Sequence, residues 1–149
     1  MLILKMAPPR VVGTLLVLAG IAACGSDEPN VKLCADLRPS GCTPQYEPTF
    51  DNVFHRTLVP SCALGGRSCH STEGAQGGIA FDDIDQSYAL LVGENPSGAP
   101  RVNREDPACG ELVRRIESTD ASLRMPPGPG LSEEEKCAIE LWIIQGANR

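Results

Sequence analysis

The run Cys62-Ala63-Leu64-Gly65-Gly66-Arg67-Ser68-Cys69-His70 holds two thiols and an imidazole within nine residues. Three chemistries use such a set. Two cysteines followed at once by a histidine attach a porphyrin covalently in the pattern C-x-x-C-H: the thiols become thioethers and the imidazole ligates iron. Here six residues separate the cysteines instead of two, with the flexible pair Gly65-Gly66 among them. A loop of that size also closes readily as a Cys62–Cys69 disulfide in an oxidising compartment. The third chemistry is a zinc ion held by His55, Cys62, Cys69 and His70, for which the adjacent Cys69 and His70 must bend toward one ion.

A second candidate lies further on, at Met125-Pro126-Pro127-Gly128-Pro129-Gly130. This stiff loop presents a thioether free of helical competition. Met125 is either an axial ligand to iron, where a His/Met pair raises the reduction potential and suits electron transfer over oxygen binding, or a soft gap-filler beside the last helix. Asp82, Asp83 and Asp85 lack the glycine and distal glutamate of a calcium loop and read as a solvated turn. The sequence holds no nucleophile motif, phosphate loop or HExxH. Nothing in it points to hydrolysis or group transfer, so an enzyme is not expected.

The chain begins with an address. Lys5 and Arg10 precede an apolar run of thirteen residues, 11–23. That is short of the ~20 a spanning helix needs and suits the core of a signal peptide. The run ends Ala19-Gly20-Ile21-Ala22-Ala23-Cys24 and turns polar at once, which resembles a bacterial lipoprotein signal. The resemblance implies removal of residues 1–23, with Met1 and Met6, and a lipid on Cys24. The lipid would tether the domain to a membrane of the cell envelope, facing the periplasm or the cell surface. An ordinary cleavable signal abutting a cysteine is the alternative. Without residues 1–23 the formal charge moves from −6 to −8, eleven basic against nineteen acidic side chains. Such a surface argues against nucleic acid as a partner. Residues 24–47, with Pro29, Pro39, Gly41 and Pro44, read as a flexible tether.

Residues 48–149 must then position the chemistry. A chain of about 100 residues buries only a modest core, and this one is poor in aromatics, so disulfides or a large apolar cofactor would supply the rest. The expected fold is all-α: a small bundle of about four short helices joined by long loops. Thr49 caps a first helix with Phe50, Val53, Phe54 and Leu58 on one face, and Pro60 stops it. Residues 87–92 form a second, ended by Gly93. Asp106 caps a third with Pro107 at its first position and Leu112, Val113 and Ile116 inward. Ser132 and Glu135 make a capping box for a fourth, which runs to Gln145 with Cys137, Leu141, Trp142 and Ile144 apolar.

In this order the pieces resemble a small bacterial c-type cytochrome of the kind found in exported lipoproteins. They are the helix entering Cys62 to His70, then Gly77-Gly78-Ile79, Tyr88-Ala89-Leu90-Leu91-Val92-Gly93, Arg101-Val102, Asp106-Pro107, Met125-Pro126-Pro127-Gly128, and Leu131-Ser132 leading to Trp142-Ile143 and Gly146-Ala147. The resemblance covers about residues 50–149. It implies one covalently attached haem c on Cys62 and Cys69, with iron held by His70 and Met125. It also implies a membrane-tethered single-haem electron carrier with a redox protein partner in the envelope. The alternative is a haem-free, disulfide-stapled domain acting as an envelope interaction or structural module. In either case Cys34–Cys42 and Cys109–Cys137 are the expected remaining bridges.

Overall fold

The computed structural model describes residues 34–37, 41–63, 69–94 and 100–149, all within one compact unit. The leader and Cys24 lie outside the described residues. The fold is all-α, with four α-helices and no strand among the described residues.

Helix α1 (Phe50–Val53) starts where expected, with the Thr49 hydroxyl accepting from the Asn52 N–H at 3.4 Å. It does not stop at Pro60. It widens into a π-helical stretch, Phe54–Ala63, that carries Pro60 inside it. Proline offers no N–H, and its ring collides with the carbonyl four residues back in an α-helix. The wider π turn bonds five residues back instead and relieves that collision. Pro60 sits on the solvent side, while Phe54, Thr57, Leu58 and Ala63 continue the buried face. The consequence is that Cys62 sits in the last turn of a helix, not in a free loop.

Helix α2 (Ile84–Val92) begins three residues earlier than expected. Asp83 is its N-cap, accepting from the backbone N–H groups of Asp85 and Gln86 at 3.0 and 2.8 Å. Asp82 accepts the Thr72 hydroxyl at 2.6 Å. The acidic run is thus a cap and a turn anchor. The third helix is shorter than expected. Pro107–Cys109 makes a single 3-10 turn, and helix α3 (Glu111–Ile116) starts after Gly110 resets the backbone to an extended conformation. Gly110 packs so tightly that a Cβ there would lie 2.9 Å from the Asn103 nitrogen.

Helix α4 (Glu133–Ile144) carries the anticipated capping box, Glu135 N–H to Ser132 Oγ at 3.2 Å and Ser132 N–H to Glu135 Oε2 at 2.9 Å. Its buried face is Cys137, Ala138, Ile139, Trp142 and Ile143. Ile144, apolar like its neighbours, is 52% exposed. With Ile139, Trp142 and Ile143 inward at helical spacing, Ile144 falls one position off the stripe. The core centres on Phe50, whose ring lies 5.1 Å from Tyr88 and 5.2 Å from Trp142.

Two disulfides correct the expected pairing: they are Cys34–Cys109 and Cys42–Cys137. Each joins the N-terminal segment to a helical region, so Cys34 and Cys42 do not face one another, and neither do Cys109 and Cys137. The backbone explains why. Ala35 N–H donates to Ala108 O at 2.8 Å and Gln45 N–H to Glu134 O at 3.0 Å. Tyr46 is buried, its hydroxyl sharing a 2.5 Å hydrogen bond with Thr57 Oγ1. Residues 34–37 and 41–47, read from the sequence as tether, are therefore packed onto the domain.

Candidate functional site

The end of the π-helical stretch delivers Cys62, and the chain returns beside it at Cys69 and His70. His70 N–H donates to Cys62 O at 3.2 Å. Beyond it the chain is held irregular by backbone bonds: Gln76 N–H to Cys69 O at 2.8 Å and Phe81 N–H to His70 O at 2.7 Å. Gly77 and Gly78 adopt φ of 65° and 72°, a left-handed geometry that a side chain would strain. From the other side, Met125 N–H donates to Arg115 O at 2.9 Å, tying the proline-rich loop to α3. The Arg124 guanidinium crosses that loop to the Gly128 carbonyl.

These pieces enclose one cavity of about 410 Å³, lined among others by Cys62, Cys69, His70 and Met125. That size is within the range of cofactor pockets. Ile79, Phe81, Leu91, Leu112 and Ile116 supply apolar walls. All four expected site residues thus share one space, although more than sixty positions of sequence separate the first from the last. A larger cavity of about 640 Å³ lies beside α3. It holds neither a free thiol nor a histidine, its one cysteine being the disulfide-bonded Cys109.

Cys62 and Cys69 are not bonded to one another; both are free thiols. Burial pushes the Cys62 thiol up to about 12, with the charge of Glu135 adding to the effect. The sign of the consequence is clear. An unfolded thiol loses its proton near pH 9, whereas the folded one keeps it until about pH 12, so the cofactor-free fold weakens as pH rises through that window. Cys62 is therefore expected to resist iodoacetamide at pH 8.5 in the native protein and to react at once when unfolded. Cys62→Ala should also blunt the loss of stability above pH 9. Rapid native alkylation at Cys62, mapped by mass spectrometry, would contradict this burial.

His70 packs 5.7 Å from Phe81, ring to ring. Its Nδ1 is buried and has no hydrogen-bond partner among the described residues. A buried polar atom left unpaired costs about 1–3 kcal/mol, which a structural histidine would avoid. The fourth member of the zinc set is elsewhere: the His55 imidazole is 60% exposed and lies 3.7 Å from Asp51. The tetrad His55, Cys62, Cys69 and His70 is not assembled. The remaining set is two thiols, an imidazole with an unpaired nitrogen and a thioether, in largely apolar walls. That set fits a flat apolar group carrying a metal at its centre.

Sequence reasoning overlooked the polar part of the wall. Arg101, Glu111 and Arg115 also line the cavity. The spacing of Glu111 and Arg115, one helical turn apart, was the available signal.

Residues 67–129 match the family model described as Planctomycete cytochrome C. The match takes in Cys69, His70 and Met125 and leaves Cys62 outside. No curated protein and no solved structure matches the chain.

Proposed function

Proceeding from a cytochrome c-like domain in this chain, we propose that the protein is a single-haem electron carrier tethered to a bacterial envelope membrane. The observation that carries the reading is the shared cavity of Cys62, Cys69, His70 and Met125, with both thiols unbonded. When bound, the haem supplies an iron that cycles between two oxidation states. The chain's own residues do the rest. Cys62 and Cys69 would hold the porphyrin as thioethers. His70 would offer the iron an imidazole nitrogen, and Met125 a thioether from the loop tied to Arg115. Ile79, Phe81 and Leu91 keep water from the site, which together with the ligand pair tunes the potential. No substrate is turned over in this reading. A lipid on Cys24 holds the domain at the membrane, in reach of a redox protein partner in the envelope, and nucleic acid is not a partner.

The test is a visible spectrum of protein matured in a host with its own haem-attachment system. A Soret band that survives denaturation supports covalent haem. A colourless protein with Cys62 and Cys69 joined would instead support the haem-free envelope module. In the haem-loaded form, Met125→Ala should abolish the weak thioether-to-iron absorption of the oxidised state. An unchanged band would remove Met125 from the ligand set.

A further inference from the structure

Asp106 opens the 3-10 turn Pro107–Cys109, a position from which an aspartate ordinarily accepts the first N–H groups of the turn. Its carboxylate makes no such bond. Oδ2 lies instead 3.1 Å from the sulfur of Cys109. That sulfur is bonded to Cys34 and has no proton to donate. A carboxylate oxygen is thus held against a disulfide that offers it no hydrogen bond.

The backbone builds this placement. Three residues make one turn of a 3-10 helix, so side chains three apart eclipse. Asp106 and Cys109 stand in that relation, closed by Cys109 N–H to Asp106 O at 3.0 Å. The Asn103 side chain fixes the entry to the turn, Oδ1 accepting from Asp106 N–H at 2.9 Å and from Glu105 N–H at 3.0 Å. Cys34 is brought up from the other side by Ala35 N–H to Ala108 O at 2.8 Å. That bond is independent of the bridge, so it keeps Cys34 beside Cys109 when the bridge is open. The two sulfurs and a carboxylate oxygen of Asp106 lie within 4.8 Å of one another. Zinc bonds of about 2.3 Å to sulfur and 2.0–2.2 Å to oxygen set tetrahedral ligand atoms about 3.4–3.8 Å apart. Two freed thiols reach that spacing by side-chain rotation.

Access sets the two bridges apart. Cys34 and Cys109 are both partly exposed, whereas Cys137 of the other bridge is fully buried. Thiol–disulfide exchange requires a thiolate to reach a sulfur. Cys34–Cys109 offers both of its sulfurs to such an attack, and Cys42–Cys137 only one.

We propose that Cys34, Asp106 and Cys109 form a redox-gated site for a thiophilic divalent cation of the zinc type. A vicinal dithiol reductant opens the gate. The S–S bond breaks, two electrons and two protons pass to Cys34 and Cys109, and the donor leaves as its own disulfide. Zinc then displaces both thiol protons to solvent and forms two Zn–S bonds. Asp106 is the third ligand, and water fills the fourth position. The site shares no residue with the cavity of Cys62, Cys69, His70 and Met125 and does not depend on the haem reading.

The test uses the full native chain, reduced in stages with tris(2-carboxyethyl)phosphine. Alkylation and mass spectrometry map which cysteines open, and equilibrium dialysis measures bound zinc after the reductant is removed without air. Cys34–Cys109 should open first, and bound zinc should rise with it by about one ion per chain. Cys62 and Cys69 are free thiols before and after, so zinc they take is already present in the oxidised chain and is subtracted. Asp106→Asn should weaken the added zinc at least ~10-fold, since loss of even an outer-shell partner costs that much. Opening of Cys34–Cys109 with no added zinc overturns the site. Earlier opening of Cys42–Cys137 overturns the gate, and equal zinc affinity in Asp106→Asn overturns the three-ligand set. The oxidised and reduced forms of the unmodified chain decide the matter even where the variant fails to fold.

Discussion

On the proposed haem reading, His70→Ala is expected to remove a nitrogen ligand of the iron while leaving the cofactor-free domain folded. The haem-loaded variant should lose the low-spin spectrum of a six-coordinate iron, and added imidazole should restore part of it. The cofactor-free variant should change in stability by no more than about 1 kcal/mol. Two opposing effects set that small figure. The substitution deletes a buried nitrogen that has no hydrogen-bond partner among the described residues, an unfavourable feature worth about 1–3 kcal/mol. It also deletes the packing of the ring on Phe81 and leaves a smaller side chain beside a cavity that is already open. A structural histidine would behave in the opposite way. Loss of more than about 3 kcal/mol in a denaturant titration of the cofactor-free variant would assign His70 to the fold, not to a metal.

The second large effect is expected at Cys42 and Cys137. The double variant Cys42→Ala/Cys137→Ala should lose about 3–5 kcal/mol and melt at least ~10 °C lower. The bridge closes a loop of 95 positions. In the chain-entropy account, a cross-link over so long a loop removes much of the freedom of the unfolded chain. It also anchors the segment that brings Tyr46 onto Thr57. Cys137 is fully buried in α4, so alanine there leaves no polar atom behind. A change below about 1 kcal/mol would mean that the segment before α1 is held by its backbone bonds and Tyr46 alone.

What the sequence revealed and what it withheld divide along physical lines. Local signals carried well. Thr49 and the Ser132/Glu135 capping box start their helices as read, because a cap is decided by three or four neighbouring residues. The stretch around Pro60 misled, because the rule that proline ends a helix assumes α geometry, and the π turn removes that assumption. The exposure of Ile144 was not legible, since the last turn of a helix gives too few residues to fix the phase of its stripe. The disulfides were out of reach. Cys34 and Cys42 are close in sequence, and nothing local shows that Ala35 and Gln45 bond to Ala108 and Glu134 across the fold. The site residues were chosen by chemistry and by resemblance, and the fold places them in one cavity. Arg101 escaped notice as a site residue because its meaning depends on Glu111, which only the packing of α3 brings opposite.

The Cys34–Cys109 bridge has a consequence for reach. Only ten positions separate Cys24 from Cys34, and an extended chain spans at most about 3.3–3.6 Å per residue. A lipid on Cys24 would therefore moor the bridge within about 35 Å of the membrane. A leash running free to residue 48 would allow roughly 80 Å. On the proposed reading, a domain on so short a line would sweep a thin layer above the lipid, and a redox partner would have to bring its own docking face down into that layer.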